Sequence, residues 1–394
     1  MQTLNQTPSA SRLHIGIFGR RNSGKSSLIN ALTNQQTALV SEVAGTTTDP
    51  VQKAIELHPI GPCVLIDTAG FDDEGELGQM RIQRTEQMLS KTDLAILVIT
   101  TEQTDFSMEQ DWLNQLKEKQ IPVLIAINKI DIKQSIPDWV SRYPHCFVSA
   151  LQKQGIDTLK QQIIQSAPKN FELASITAHL VGENDLVLLV MPQDIQAPKG
   201  RLILPQVQTT RDLLDNRAIV VSVTTDKLIS ALQLLKCPPK LIITDSQVFN
   251  YVYKHCPKES MLTSFSVLMA RYKGDIDAFL EGAKAIDKLS EQDKVLILEA
   301  CSHNPLDGDI GRIKIPALLR KKVGQNLSIE VRSGNDIPED LTPYSLVVHC
   351  GGCMFNRAYV LSRTAICKQQ QVPITNYGIL IAKLGGILDK IQVK

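Results

Sequence analysis

Leu13-His14-Ile15-Gly16-Ile17-Phe18-Gly19-Arg20-Arg21-Asn22-Ser23-Gly24-Lys25-Ser26 runs from a short apolar stretch into a glycine-bounded turn, and a helical pattern opens at residues 25–32. The turn fits G-x-x-x-x-G-K-[ST] in its proper context, strand before and helix after. Gly19 and Gly24 let the backbone wrap, so that the N–H groups of Asn22, Ser23 and the helix start at Ser26 and Ser27 face a phosphate. Lys25 then reaches the β- and γ-phosphates, and the Ser26 hydroxyl ligates Mg²⁺. Further along the chain, apolar runs at residues 51–57, 63–66, 94–99, 123–127 and 146–148 are interspersed with helix-period stretches at 80–89, 108–119 and 156–164. That pattern predicts an α/β fold: a doubly wound, mostly parallel sheet with helices on both faces.

The run at 123–127 ends in Asn128-Lys129-Ile130-Asp131, an N-K-x-D. The Asp131 carboxylate can accept two hydrogen bonds from guanine, at N1–H and the 2-amino group, which adenine cannot supply. Ser149-Ala150 offers a backbone N–H for the guanine O6, so the nucleotide is GTP. Asp67-Thr68-Ala69-Gly70 follows another strand: Asp67 would touch Mg²⁺ through water, and the Gly70 N–H would sense the γ-phosphate. In Gly45-Thr46-Thr47-Thr48-Asp49-Pro50 one threonine can give Mg²⁺ a hydroxyl and a carbonyl; of the three, Thr47 is chosen. The catalytic set is then Lys25, Thr47 and Gly70. Phe71 stands where a Ras-like GTPase has its water-orienting Gln, which predicts slow intrinsic hydrolysis or another group in that role. Arg20, Arg21 and Asp49 read as solvent-facing charges.

The chain has 394 residues, 43% hydrophobic and 21% charged, a globular composition sized for roughly two to three domains. The boundaries fall at 1–168, 171–272 and 275–394. The middle region predicts strands at 186–191, 219–224 and 241–244 with helices at 207–215 and 227–235. The last predicts strands at 295–299, 328–331, 346–349 and 372–375 with helices at 276–289, 310–323, 356–370 and 379–391. With 42 Lys and Arg against 41 Asp and Glu, the +1 balance argues against nucleic-acid or membrane-surface binding. No apolar run approaches the ~20 residues of a membrane helix, and residues 1–12 lack the apolar core of a secretion signal. The expectation is a cytoplasmic protein.

Eight cysteines are too few for a disulfide scaffold. Three of them fall in a pattern: Cys301-Ser302-His303, 45 intervening residues, then His349-Cys350-Gly351-Gly352-Cys353. Each group lies just past the C-terminal end of an apolar run, and parallel neighbouring strands would bring both to one edge of a sheet. Three thiols and two imidazoles suit either Zn²⁺ or an iron–sulfur cluster. With a single Cys at one end, the pattern is closer to a cluster having one exchangeable iron. Cys63, Cys146, Cys237, Cys256 and Cys367 read as packing residues.

The nucleotide motifs, in this order, resemble the Era/TrmE-like branch of the GTPases, in which an Asn at the position of Asn22 helps hold K⁺. A GTPase module followed by C-x-H…H-C-x-x-C is similar to the FeFe-hydrogenase maturation GTPases, the HydF family, over the whole chain. Residues 198–209 are similar to that family's middle domain. The resemblance implies a GTP-binding domain, a dimerisation domain and a cluster-binding domain, assembled as a homodimer or tetramer. It implies that Cys301, Cys350 and Cys353 hold a 4Fe–4S cluster, with His303 and His349 as candidates for the fourth position. It also implies a scaffold or carrier that delivers the diiron subcluster precursor to apo FeFe-hydrogenase alongside the radical-SAM maturases HydE and HydG. The competing reading is an Era/TrmE-like GTPase of ribosome or RNA with a structural zinc module.

Overall fold

Burial along single strands builds the first sheet. Strand β1 (Leu13–Phe18) is followed by α1 (Lys25–Thr33), β2 (Gln52–Leu57), β3 (Gly61–Asp67), β4 (Leu94–Thr100), α2 (Ser107–Glu118), β5 (Val123–Asn128), β6 (His145–Phe147) and α3 (Ile156–Ser166). On β4, Leu94, Ile96 and Val98 join the core that holds Leu28 and Leu32 of α1 and Leu159 and Ile163 of α3. Their neighbours Ala95, Leu97 and Ile99 face the opposite core with Trp112, Leu113 and Leu116 of α2. A strand buried on both faces carries apolar residues without alternation, which is why these runs are continuous in sequence. The strand order is β2-β3-β1-β4-β5-β6, parallel except for β2, which pairs antiparallel with β3 at the edge. This is the doubly wound sheet expected.

The computed structural model describes residues 9–33, 52–72, 85–132, 136–168, 175–192, 202–300, 310–334, 337–352 and 355–393. Thr47 with its whole threonine loop, Cys301, His303 and Cys353 lie outside these residues, as do parts of the stretches expected at 80–89 and 198–209. The chain divides into two units, Met1–Leu173 and Ala174–Lys394.

The second unit contains two four-stranded sheets, parallel throughout. The first runs β7 (Leu186–Val190), α4 (Leu204–Asp215), β8 (Ile219–Val223), α5 (Leu228–Leu234), β9 (Leu241–Thr244), α6 (Phe249–His255), β10 (Met261–Ser264) and α7 (Phe265–Lys273). The second runs α8 (Ile276–Ala285), β11 (Lys294–Glu299), α9 (Ile315–Val323), β12 (Ser328–Ser333), β13 (Leu346–His349), α10 (Arg357–Gln369), β14 (Ile374–Asn376) and α11 (Tyr377–Leu384). The structure adds α6, β10 and α7 to the elements that periodicity predicts. In α7, Phe265 and Leu268 enter one core while Val267 and Ala270 enter the other. Such a helix has no polar face, so its sequence shows no amphipathic stripe. Among the described residues no helix is long and apolar enough to cross a membrane.

Candidate functional site

The turn after β1 is held by its own carbonyls. Lys25, almost fully buried, donates from Nζ to the Gly19 carbonyl at 2.9 Å and the Arg20 carbonyl at 2.8 Å. Gly24 has φ +91°, and a Cβ there would lie 2.2 Å from Asn128 Nδ2, so no other residue fits without displacing Asn128. Asn22 also takes a left-handed conformation, with φ +55°.

At the end of β3, the Ser26 hydroxyl donates to Asp67 Oδ2 at 2.6 Å. Burial pushes the Asp67 carboxyl up, opposed by that hydrogen bond and by the charges of Lys25 and Lys53. Asp67 Oδ1 and Ser23 Oγ are buried without hydrogen-bond partners. Orphaned oxygens at the mouth of a phosphate loop suit a Mg²⁺-nucleotide.

Asn128 couples the loops rather than merely lining one. Its Nδ2 donates to the Ser23 carbonyl at 2.9 Å, and its Oδ1 accepts from the Ala150 N–H at 3.0 Å. One side chain thus ties the phosphate loop to the segment containing Ser149 and Ala150. Lys129 pairs with Glu102 at 3.1 Å, and Asp131 is exposed beside it. Phe71 is turned inward: Phe18 and Phe71 each stack on Trp112 with centroids 5.5 Å apart. From there it orients no water. The next residue, Asp72, accepts from the Arg21 N–H at 2.6 Å, joining the loop after Gly70 to the phosphate loop.

Arg20 is not the solvent-facing charge expected. Its Nε and a terminal nitrogen donate to Glu109 at 2.9 and 3.0 Å, and Glu109 is fully buried on α2. The sequence carried a signal: Glu109 occupies the same helix stripe as Trp112, Leu113 and Leu116. An acid on an apolar stripe calls for a partner. Replacing Arg20 with Ala strands that carboxylate and should destabilise the first unit by about 3 kcal/mol. E109Q, which keeps an acceptor for Arg20, should cost less. Both tryptophans, Trp112 and Trp139, lie in this unit, so denaturant unfolding followed by their fluorescence reads the change directly.

In the second unit, β11 and β13 pair in parallel, with Leu298 opposite His349. The Cys350 N–H donates to the Leu298 carbonyl at 2.9 Å, and the Ala300 N–H donates to Cys350 Sγ at 3.1 Å. The residue preceding Cys301 therefore lies in hydrogen-bond contact with the sulfur of Cys350. Gly352 has φ +57° and a Cβ there would meet Val360 at 2.9 Å, which lets the chain turn back tightly after Cys350.

His349 is fully buried. Its Nδ1–H donates to the Cys350 carbonyl at 2.5 Å, and its Nε2 lies 3.4 Å from a terminal nitrogen of Arg363. Both ring nitrogens are engaged inside the fold. Burial and then the Arg363 charge push the imidazole down to about 4, so it is neutral. Among the described residues no three His, Cys, Asp or Glu side chains converge as a metal site. Cys63, Cys146 and Cys367 are buried, with thiols pushed up to about 12 by burial, whereas Cys237 is exposed and packs nothing.

A doubly wound sheet whose G-x-x-x-x-G-K-S turn is tied to its N-K-x-D turn through one asparagine is that of a P-loop GTPase. Residues 14–129 match the family model described as 50S ribosome-binding GTPase, residues 176–274 the Hydrogen maturase F dimerization domain, and residues 277–393 the Hydrogen maturase F tetramerization domain. The chain belongs to the Hydrogen maturase F family.

It is similar to the tRNA modification GTPase MnmE of Nitrosomonas europaea, 29% identical over 186 residues, which spans 46% of this chain and 41% of that protein. It is also similar to GTPase Der of Mycoplasmopsis pulmonis, 31% identical over 218 residues, 50% of this chain and 49% of that protein. The chain thus spans less than half the length of these relatives. A crystal structure of Era with MgGDPNP and a segment of 16S ribosomal RNA aligns at TM-score 0.35 and 26% identity, covering 40% of this chain and 57% of that one.

Proposed function

We propose that this chain binds GTP with Mg²⁺, hydrolyses it, and carries a 4Fe–4S cluster on Cys301, Cys350 and Cys353. In this reading it is the scaffold or carrier that delivers the diiron subcluster precursor to apo FeFe-hydrogenase, working with the radical-SAM maturases HydE and HydG. The observation that supports it most is the parallel register of β11 and β13, which brings Ala300 and the sulfur of Cys350 into contact in a chain of the Hydrogen maturase F family. A backbone N–H aimed at a cysteine sulfur suits a thiolate ligand. The cluster, when bound, would supply an iron with one exchangeable position, with His303 as the remaining imidazole candidate.

Ser26, Thr47 and Asp67 are the Mg²⁺ side of the nucleotide site, and Lys25 with the Gly70 N–H stabilises charge on the γ-phosphate. Asn128, Lys129, Asp131, Ser149 and Ala150 form the guanine side. Asn22 holds K⁺ beside the phosphates, doing what an arginine finger does in other GTPases. Residues 1–168, 171–272 and 275–394 are the nucleotide, dimerisation and cluster domains of a cytoplasmic homodimer or tetramer that engages neither nucleic acid nor membrane.

The test is anaerobic reconstitution of the full chain with iron and sulfide, with metal analysis, and GTP turnover measured in KCl and NaCl at matched ionic strength. The expected result is a cluster-loaded protein that turns over faster in K⁺. Equal rates in the two salts would remove the Asn22 assignment. A colourless protein holding one zinc, with no reconstitutable iron, would replace the cluster by a structural zinc module.

A further inference from the structure

Helix α10 buries a charge that the described residues do not neutralise. Its buried stripe is Tyr359, Val360, Arg363, Thr364 and Cys367, and Arg363 is 2% exposed. The guanidinium donates to the Gly334 carbonyl and the Tyr359 hydroxyl, and approaches His349 Nε2 at 3.4 Å. It also lies over the Tyr359 ring, 4.4 Å from the centroid. Its Nε has no hydrogen-bond partner. All of these groups are formally neutral, and among the described residues no carboxylate pairs with Arg363.

A buried unpaired guanidinium is costly, and a fold retains one where an anion compensates it. The path from Arg363 leads to one place. Arg363 meets His349 Nε2, and His349 Nδ1–H in turn donates to the carbonyl of Cys350, whose sulfur receives the Ala300 N–H. Cys367, on the same helix, remains a protonated thiol because burial pushes it up to about 12. A second buried cation serves the same loop: Lys273 of α7 donates to the carbonyls of Gly352 at 3.2 Å and Phe355 at 3.0 Å. The loop that carries Cys350 is therefore built against positive charge.

We propose that Arg363 is the fixed counter-charge of an anionic, thiolate-bound centre at Cys350, acting through His349 as a positioning residue that raises the reduction potential of that centre. The proposal rests on the cluster reading above. Each electron added makes a thiolate-ligated cluster more negative, so a nearby fixed cation stabilises the reduced form more than the oxidised one. Removing the cation must therefore lower the potential.

The measurement is a redox titration of the reconstituted full-length chain, followed by the electron spin resonance signal of the reduced cluster, for the unmodified protein, R363K, R363Q and R363M. R363Q keeps a hydrogen-bonding amide and removes only the charge, so it reports even where R363M folds poorly. At a fixed potential the ratio of reduced to oxidised cluster should fall at least tenfold in R363Q and R363M, a downward shift of 59 mV or more for a one-electron couple. R363K should stay close to the unmodified protein, and GTP turnover should be unaltered in all three. A full cluster with the same potential in R363Q as in the unmodified chain would overturn the counter-charge while leaving the cluster reading intact. Absence of any cluster in the unmodified chain would overturn the cluster reading itself.

Discussion

Converting Cys350 to Ser is expected to abolish the iron–sulfur absorption of the reconstituted chain while leaving GTP turnover within about twofold. The same holds for Cys301→Ser and Cys353→Ser. With three thiolates assigned to the centre, no spare sulfur stands at ligand spacing to take over: Cys63, Cys146 and Cys367 are buried in cores, Cys256 is half-buried with its thiol on the Pro257 and Ser260 carbonyls, and Cys237 is exposed in the loop between α5 and β9. The turnover is expected to be spared because the nucleotide motifs and Cys350 fall in separate units of the chain.

Lys25→Ala should give the mirror image. The cluster should form normally, and GTP turnover should fall roughly a hundredfold to a thousandfold, the usual loss when one stabiliser of transition-state charge is removed. Hydrogenase maturation should fail in both classes of variant. Iron content, turnover and maturation measured on the same preparations check all three statements. A Cys350→Ser protein that keeps a full complement of iron would remove Cys350 from the ligand set.

Asp131→Asn should weaken GTP binding by about 3 kcal/mol or more, about a hundredfold. The carboxylate accepts from both N1–H and the 2-amino group; an amide can accept only one of these and turns a donor toward the other. Xanthine carries a carbonyl where guanine has its amino group, so the same variant should gain affinity for xanthosine triphosphate. Binding titrations with both nucleotides decide it, and unchanged GTP affinity would remove the base-recognition assignment. Asn128 makes the complementary point. Its side chain bridges Ser23 and Ala150, so Asn128→Ala should weaken all nucleotides alike rather than switch the base.

The GTPase motifs were legible because each is local. A glycine-bounded turn needs its residues adjacent, and N-K-x-D and the aspartate before Gly70 lie at the ends of strands whose apolar runs announce them. The two halves of the cysteine pattern were legible for a similar reason, since each sits where an apolar run stops. Whether those halves meet is a matter of strand order, and β11 lies between β12 and β13, which no run of residues states. Helix α7 escaped the periodicity reading because it is buried on two sides and carries no amphipathic stripe.

The sequence by itself determined the class of nucleotide site, the guanine preference and the pairing of a GTPase module with a cysteine motif, because in each case the chemistry fits within a few consecutive residues. Tertiary structure alone decided which charges are withdrawn from water and what they meet there. Arg20 and Glu109 are 89 residues apart and Arg363 and His349 are 14 apart, yet the fully buried Glu109 carboxylate meets a half-buried guanidinium, and Arg363 meets His349 inside a core. In sequence Arg20 and Arg363 look like any solvated charge; only Glu109, on an apolar stripe, hints that a partner is needed. A charge acquires its meaning from the dielectric around it and from the partner it finds, and both are properties of the packed chain.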